Sequence, residues 1–178
     1  STTYEILEDP IGQDCSRIEV QRRILHNIAE RAWDFVLVET PCSSLCIALE
    51  PSIRSFDEPH GKEAMRSTWG KYLDKSNVLI EFSARVVRAC HAVDVDWMVE
   101  NPSSRRHGIA AWQAKADRIS LWDMPEFTSL CADIPTASTT FAQCAFGSPF
   151  QKYTTVLASA STSDALAAYL SPPSCTCR

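Results

Sequence analysis

The chain reads as an α/β domain, and three observations predict it. Two short apolar runs, Phe35–Val38 and Val95–Val99, each break into a polar loop carrying a proline, as buried strands do at their ends. Between them lies a long stretch with apolar residues at helical spacing. The chain has 178 residues, of which 45% are hydrophobic, so one domain has the material for a real core.

Taken in order, Glu19 to Trp33 carries Val20, Ile24, Leu25, Ile28 and Ala32 on one helical face, with Arg22, Arg23, Asn27 and Glu30 between them. The continuous run Phe35–Val38 predicts a strand covered on both faces, ended by Pro41. Residues 47–70 are punctuated by Pro51, Pro59, Gly61 and Gly70, which predicts a long loop acting as a lid or mobile segment. Leu73 to Val93 returns to helix through Leu79, Phe82, Val86 and Cys90, and Val95–Val99 is the second strand. Strand, helix and strand make a βαβ unit. Beyond Pro102 come a polar turn (Ser103–His107), a helix around Ile109–Ala116, and the segment Leu121–Pro125. Thr139–Phe146 and Tyr153–Ala158 predict two strands joined by a hairpin-like turn at Gly147, Ser148 and Pro149.

Charge and cysteine usage narrow the function classes. The net charge is −5, so no basic surplus advertises nucleic acid, and a nucleic-acid enzyme of this composition needs local basic patches. Eight cysteines are scattered through apolar segments, and no signal peptide or membrane-length apolar run is present. Reduced thiols in an intracellular compartment, nucleus or cytoplasm, are the expectation. Cys175 and Cys177 form half of a metal site at most, so no metal centre is expected. The glycines, at 12, 61, 70, 108 and 147, are not clustered, and both ends of the chain look cut.

The candidate chemistry sits at the two strand ends. Cys42 follows Pro41, and Glu100 precedes Asn101 and Pro102. In open α/β sheets, function collects at the carboxyl ends of parallel strands. A thiol is a nucleophile as thiolate, and a carboxylate at the rim of a desolvated cleft holds its proton and serves as an acid. Arg54 and His60 in the following loop read as solvated surface residues, with a phosphate contact as the alternative. Arg105 and Arg106 are better placed for such a contact. Trp33, Trp97 and Trp122 read as core residues.

The order Pro41-Cys42, then Glu100-Asn101-Pro102, then Phe146-Gly147-Ser148-Pro149-Phe150-Gln151-Lys152-Tyr153-Thr154 resembles the central motifs of the cytosine-C5 methyltransferases, in a divergent form like that of phage and retroelement reading frames. The resemblance covers about residues 30–160. It implies a partial Rossmann-like fold with a mostly parallel sheet and a C-terminal antiparallel hairpin, in a single catalytic domain truncated at both ends. It implies S-adenosylmethionine as cofactor, with Pro41 on the cofactor side, and DNA as partner, with RNA left open. It assigns Cys42 as the nucleophile that attacks C6 of a flipped-out cytosine and Glu100 as the group at N3. Asn101 and Lys152 complete the catalytic set, and Arg105, Arg106, Gly147 and Pro149 are substrate-binding candidates. The chain departs from the family at Thr154, where an arginine is usual, at Phe150, and in the loop Ser43–Cys46. It also lacks the glycine-rich cofactor loop. A non-catalytic methyltransferase-like module of a larger, mobile-element polyprotein is the alternative reading.

Overall fold

The structure, a computed structural model, describes residues 9, 11–104, 117–149 and 152–170. Helix α1 (Ile18–Ala29) buries Val20, Ile24 and Ile28, which recur every fourth residue along one stripe. It ends two residues before Arg31, which takes a left-handed conformation (φ 52°) and turns the chain toward strand β1 (Phe35–Glu39). The same device recurs after the long helix α2 (Arg66–Ala92), where Asp94 (φ 53°) leads into strand β2 (Asp96–Pro102). Such a backbone costs a non-glycine residue roughly 1 kcal/mol, and each turn delivers a helix straight into a strand of the sheet. Helix α3 (Pro125–Asp133) opens on a proline at its first turn, where the missing N–H costs nothing. Strands β3 (Thr136–Ala142) and β4 (Tyr153–Ser159) follow, then helix α4 (Ser163–Leu170).

The four strands form one sheet in the order β1-β2-β4-β3. β1 and β2 are parallel with Glu39 opposite Glu100, so they and α2 make the expected βαβ unit. β4 is antiparallel to both of its neighbours, with Glu100 opposite Val156 and Phe141 opposite Thr154. The antiparallel hairpin is therefore present, while the expectation of a mostly parallel sheet is corrected. The sheet is mixed, because β4 inserts between β2 and β3 against the common direction of β1, β2 and β3.

Alternation along the strands divides the core in two. Trp97, Val99 and Leu157 face a large cluster built with α1, α2 and α3, including Ile28, Ile80, Val87, Cys90, Phe127 and Leu130. Val156 and Ala158, one residue out of phase, face Leu166 of α4 with Met98, Ala137 and Phe141 around them. Trp97 is fully buried, as the sequence suggests, and Trp33 and Trp122 are partly buried against the same cluster.

Three further expectations are corrected. β1 is not covered on both faces: Phe35 is 46% and Leu37 52% exposed, while Val36 and Val38 meet the core. An apolar run alone cannot distinguish a doubly buried strand from one with a bare face. α2 begins seven residues before Leu73, with Gly70 inside it, and the segment before it is pinned where a lid was expected. Ile53 and Leu73 are fully buried, and Lys62 N donates to Ile53 O at 2.9 Å. Gly61 is needed there, since its φ of 124° disfavours a side chain and a Cβ would lie 2.6 Å from Leu73. The helix expected around Ile109–Ala116 and the Cys175–Cys177 pair lie outside the described residues.

Cys15, Cys42, Cys46, Cys90, Cys131 and Cys144 are free thiols. Among the described residues no group of three or more His, Cys, Asp or Glu could hold a metal ion, and no helix is long and apolar enough to cross a membrane.

Two outcomes are expected. Trp97→Ala should lose about 3–5 kcal/mol in urea unfolding, whereas Leu37→Ala should stay within about 0.5 kcal/mol. Equal losses would mean that the outer face of β1 is covered. Burial pushes the Cys90 thiol up to about 12. An unfolded thiol ionises at roughly 8.5, so Cys90 favours the folded state below that pH and the benefit drains away as pH rises toward the folded value. Stability measured from about pH 9 upward should therefore fall less steeply in Cys90→Ala than in the parent chain.

Candidate functional site

All three sequence motifs meet at one end of the sheet. β1 and β2 run parallel, so Thr40-Pro41-Cys42 and Glu100-Asn101-Pro102 leave the same edge on neighbouring strands, spaced about 4.8 Å apart in an ordinary sheet. β4 runs the other way, so its first residues return to that edge: Thr154 pairs with Pro102, and Ser103 N donates to Tyr153 O at 3.0 Å. The β3–β4 connection thus stands beside the other two loops.

Asn101 ties the first two loops together. Its side chain is 2% exposed and donates from Nδ2 to Thr40 O at 2.7 Å. Thr40 Oγ1 donates to Ser83 Oγ at 2.8 Å, and Ser83 Oγ donates to Leu79 O at 2.8 Å, which anchors the joint on α2. Asn101 therefore positions the loop that carries Cys42.

Pro41 is exposed, and Cys42, partly exposed, caps a short 3₁₀ turn over Ser43–Leu45, with Leu45 N donating to its carbonyl at 2.9 Å. That turn is fastened from outside. Tyr72 donates to Ser43 Oγ at 2.7 Å, and Ser44 Oγ shares a 2.6 Å bond with Ser76 Oγ. Arg54 Nε donates to Ser44 Oγ at 3.2 Å. The thiol thus rides on a turn riveted to the first turns of α2, with its own side chain open to solvent on one side.

Glu100 points to the opposite face from Asn101 and shares that face with Glu39, its register partner. Glu100 Oε1 is shielded from solvent and has no hydrogen bond among the described residues. Lys152 Nζ stands 3.5 Å from it, at ion-pair distance. The structure thus brings two members of the expected catalytic set, Lys152 and Glu100, together. Gly147 closes a 3₁₀ turn over Gln143–Phe146 with φ 89°, and it and Pro149 are exposed on the β3–β4 connection. Thr154, at the position where the family has an arginine, is buried and accepts from Gln143 Nε2 at 3.0 Å. Arg105 and Arg106 lie outside the described residues.

Arg54 corrects its surface reading. It is 1% exposed, with Nη1 donating to Pro59 O at 2.6 Å and to Asn77 Oδ1 at 2.7 Å. Burial draws its pKa down to about 10, with Glu126 opposing, so it stays charged at neutral pH. His60 is on the surface as expected, 2.6 Å from Glu126. Tyr72, which holds Ser43, and Arg118, whose Nη1 donates to Leu49 O at 3.1 Å, are positioning residues that sequence reasoning missed, because a lone Arg and a Tyr in a helix carry no positional signal.

Replacing Asn101 by Ala removes the donor to a buried carbonyl, with an expected loss of about 1–3 kcal/mol in chemical denaturation. A change within experimental error would show that the joint between the two loops is not held by this bond. No family model, no curated protein and no solved structure matches the chain.

Proposed function

We propose that the chain is a DNA cytosine-C5 methyltransferase-like domain in which Cys42 is the nucleophile and Glu100 the acid at N3. The observation that carries this reading is the meeting of Thr40-Pro41-Cys42 and Glu100-Asn101-Pro102 at the carboxyl ends of adjacent parallel strands, joined by the Asn101–Thr40 bond.

The chemistry assigned to these residues is an addition followed by an elimination. The Cys42 thiolate forms a bond to C6, and the C5–C6 π pair moves into the ring as N3 takes the proton of Glu100. C5 then carries the electron density of an enamine and accepts a proton from water. The hydroxide left by that water takes the original C5 proton, expulsion of Cys42 Sγ as thiolate restores the ring, and N3 returns its proton to Glu100. Every atom other than the exchanged hydrogen is recovered.

S-adenosylmethionine, the donor that the resemblance implies, does not fit the described residues. The crevice beside the Cys42 turn is lined by Arg54 and Arg118, whose guanidinium groups repel a sulfonium cation. The described glycines, at 12, 61, 70 and 147, stand singly and form no cradle for a cofactor's backbone approach. That mismatch favours a second reading, a methyltransferase-like module that performs no transfer.

One experiment separates the two without a methyl donor. A cytosine-containing single-stranded oligonucleotide incubated with the chain in D₂O should exchange H5 for deuterium, followed by proton NMR. Cys42→Ser, confirmed folded by circular dichroism, should reduce the exchange rate to that of the oligonucleotide alone. Glu100→Gln should slow it by roughly 10²-fold or more. No exchange above the uncatalysed rate with the parent chain would reject the catalytic reading and leave the non-catalytic module.

A further inference from the structure

Beside the Cys42 turn, two buried arginines line one crevice with Ser44, Cys46, Leu49 and Ser52. Arg54 is 1% and Arg118 8% exposed. Most of their donors are taken. Arg54 uses Nε on Ser44 Oγ and Nη1 on Pro59 O and Asn77 Oδ1. Arg118 uses Nη1 on Leu49 O at 3.1 Å and Nη2 on Glu50 Oε1. Two donors remain: Arg54 Nη2 and Arg118 Nε are both shielded from solvent and without a hydrogen-bond partner among the described residues.

A charged donor buried without a partner is among the costlier arrangements a fold can hold. Here it occurs twice around one void. The neighbouring carboxylates do not resolve it: Glu50 is engaged by Nη2, and Asp117 Oδ2 is 3.9 Å from Arg118 Nε, beyond hydrogen-bond range. Both of those carboxylates are largely in solvent, with side chains 58% and 76% exposed, so they screen the buried charges weakly. The crevice therefore has a positive lining, and each of its two arginines keeps one unpartnered donor nitrogen, Arg54 Nη2 and Arg118 Nε.

We propose that this crevice is an anion site for a phosphate group, with Arg54 Nη2 and Arg118 Nε as its donors. Size and chemistry select the ligand. The crevice has a cavity volume of about 10 Å³, room for one water-sized group, within about 200 Å³ of empty space that includes its open mouth. A tetrahedral oxyanion can seat one oxygen between the two arginines and leave the others in the mouth, and guanidinium N–H groups match its oxygens in charge and direction. The site is independent of the chemistry assigned to Cys42. It shares with it only the turn Ser43–Leu45, whose Ser44 hydroxyl is fixed by Arg54.

The test reads the arginine Nε–H resonances of the ¹⁵N-labelled chain. Inorganic phosphate is titrated against sodium chloride at matched ionic strength, and a short single-stranded oligonucleotide is titrated in parallel. A saturable shift of the Arg118 Nε–H signal with phosphate or oligonucleotide, and not with chloride, is the expected result. Saturation by the oligonucleotide at the lower concentration identifies a nucleic-acid backbone phosphate as the ligand, and saturation by inorganic phosphate alone identifies the free ion. Arg118→Gln should weaken binding by roughly tenfold or more, followed by the Arg54 signals. The parent-chain titrations decide the question even if that variant does not fold. No saturable shift, or one equal in chloride, would overturn the proposal and leave the crevice to ordered water.

Discussion

The parallel pairing of β1 with β2 is the constraint on which the rest of the molecule depends. Two strands of this kind cannot be joined by a tight turn, so the chain between them must cross the sheet, and α2 with its leading segment does so. The crossing forces the strands to point the same way, which sends both polar loops off the same edge. Reversal of β4 then brings a third loop back to that edge. Three segments distant in sequence become neighbours through hydrogen-bond register alone, and the side chains at their tips inherit their places from it.

Fixing that edge falls to side chains that look unremarkable in the sequence. Asn101 bonds the neighbouring strand's exit, and Arg54 gathers Ser44, Pro59 and Asn77 into one knot. A buried arginine can hold three separate pieces of chain because its donors fan out in a fixed plane. Its desolvation is expensive, and the expense is spread over several partners on α2 and on the segment before it. The 43–65 segment is pinned for this reason in spite of Pro51, Pro59 and Gly61. Its one wholly buried apolar residue, Ile53, is too little to hold it.

Much of the architecture was legible because burial imprints periodicity. Ile24 and Ile28 declared α1, and Val95–Val99 declared β2, since each pattern has one physical explanation. The two strand-end motifs were legible for a different reason: proline beside a cysteine or after Glu100-Asn101 interrupts a ladder and marks an exit. What escaped was whatever depends on the partner across space. The exposed face of β1 reads the same as a covered one, because Phe35 and Leu37 are apolar either way. The hairpin of β3 and β4 was legible from its turn, but the placing of β4 against β2 leaves no trace in Tyr153–Ser159, as a strand's residues do not name its neighbour. Arg54 read as solvated, since charge is normally outside, and only the geometry of Ser44 and Asn77 explains its burial. α3 went unread because its nine residues carry only two buried apolar positions, Phe127 and Leu130, too few to declare a helical stripe.

The outer edge of β1 has a consequence for the chain's behaviour in solution. β2 occupies one side of this strand, and among the described residues no strand lies along the other. Its main-chain donors and acceptors there form an open ladder, flanked on the bare face by Phe35 and Leu37. Any extended segment that can run alongside gains a set of cross-strand bonds and covers two apolar side chains in one step. Association at this edge would lengthen the sheet beside the very strand from which Thr40-Pro41-Cys42 leaves, so the Cys42 turn would stand next to whatever is added.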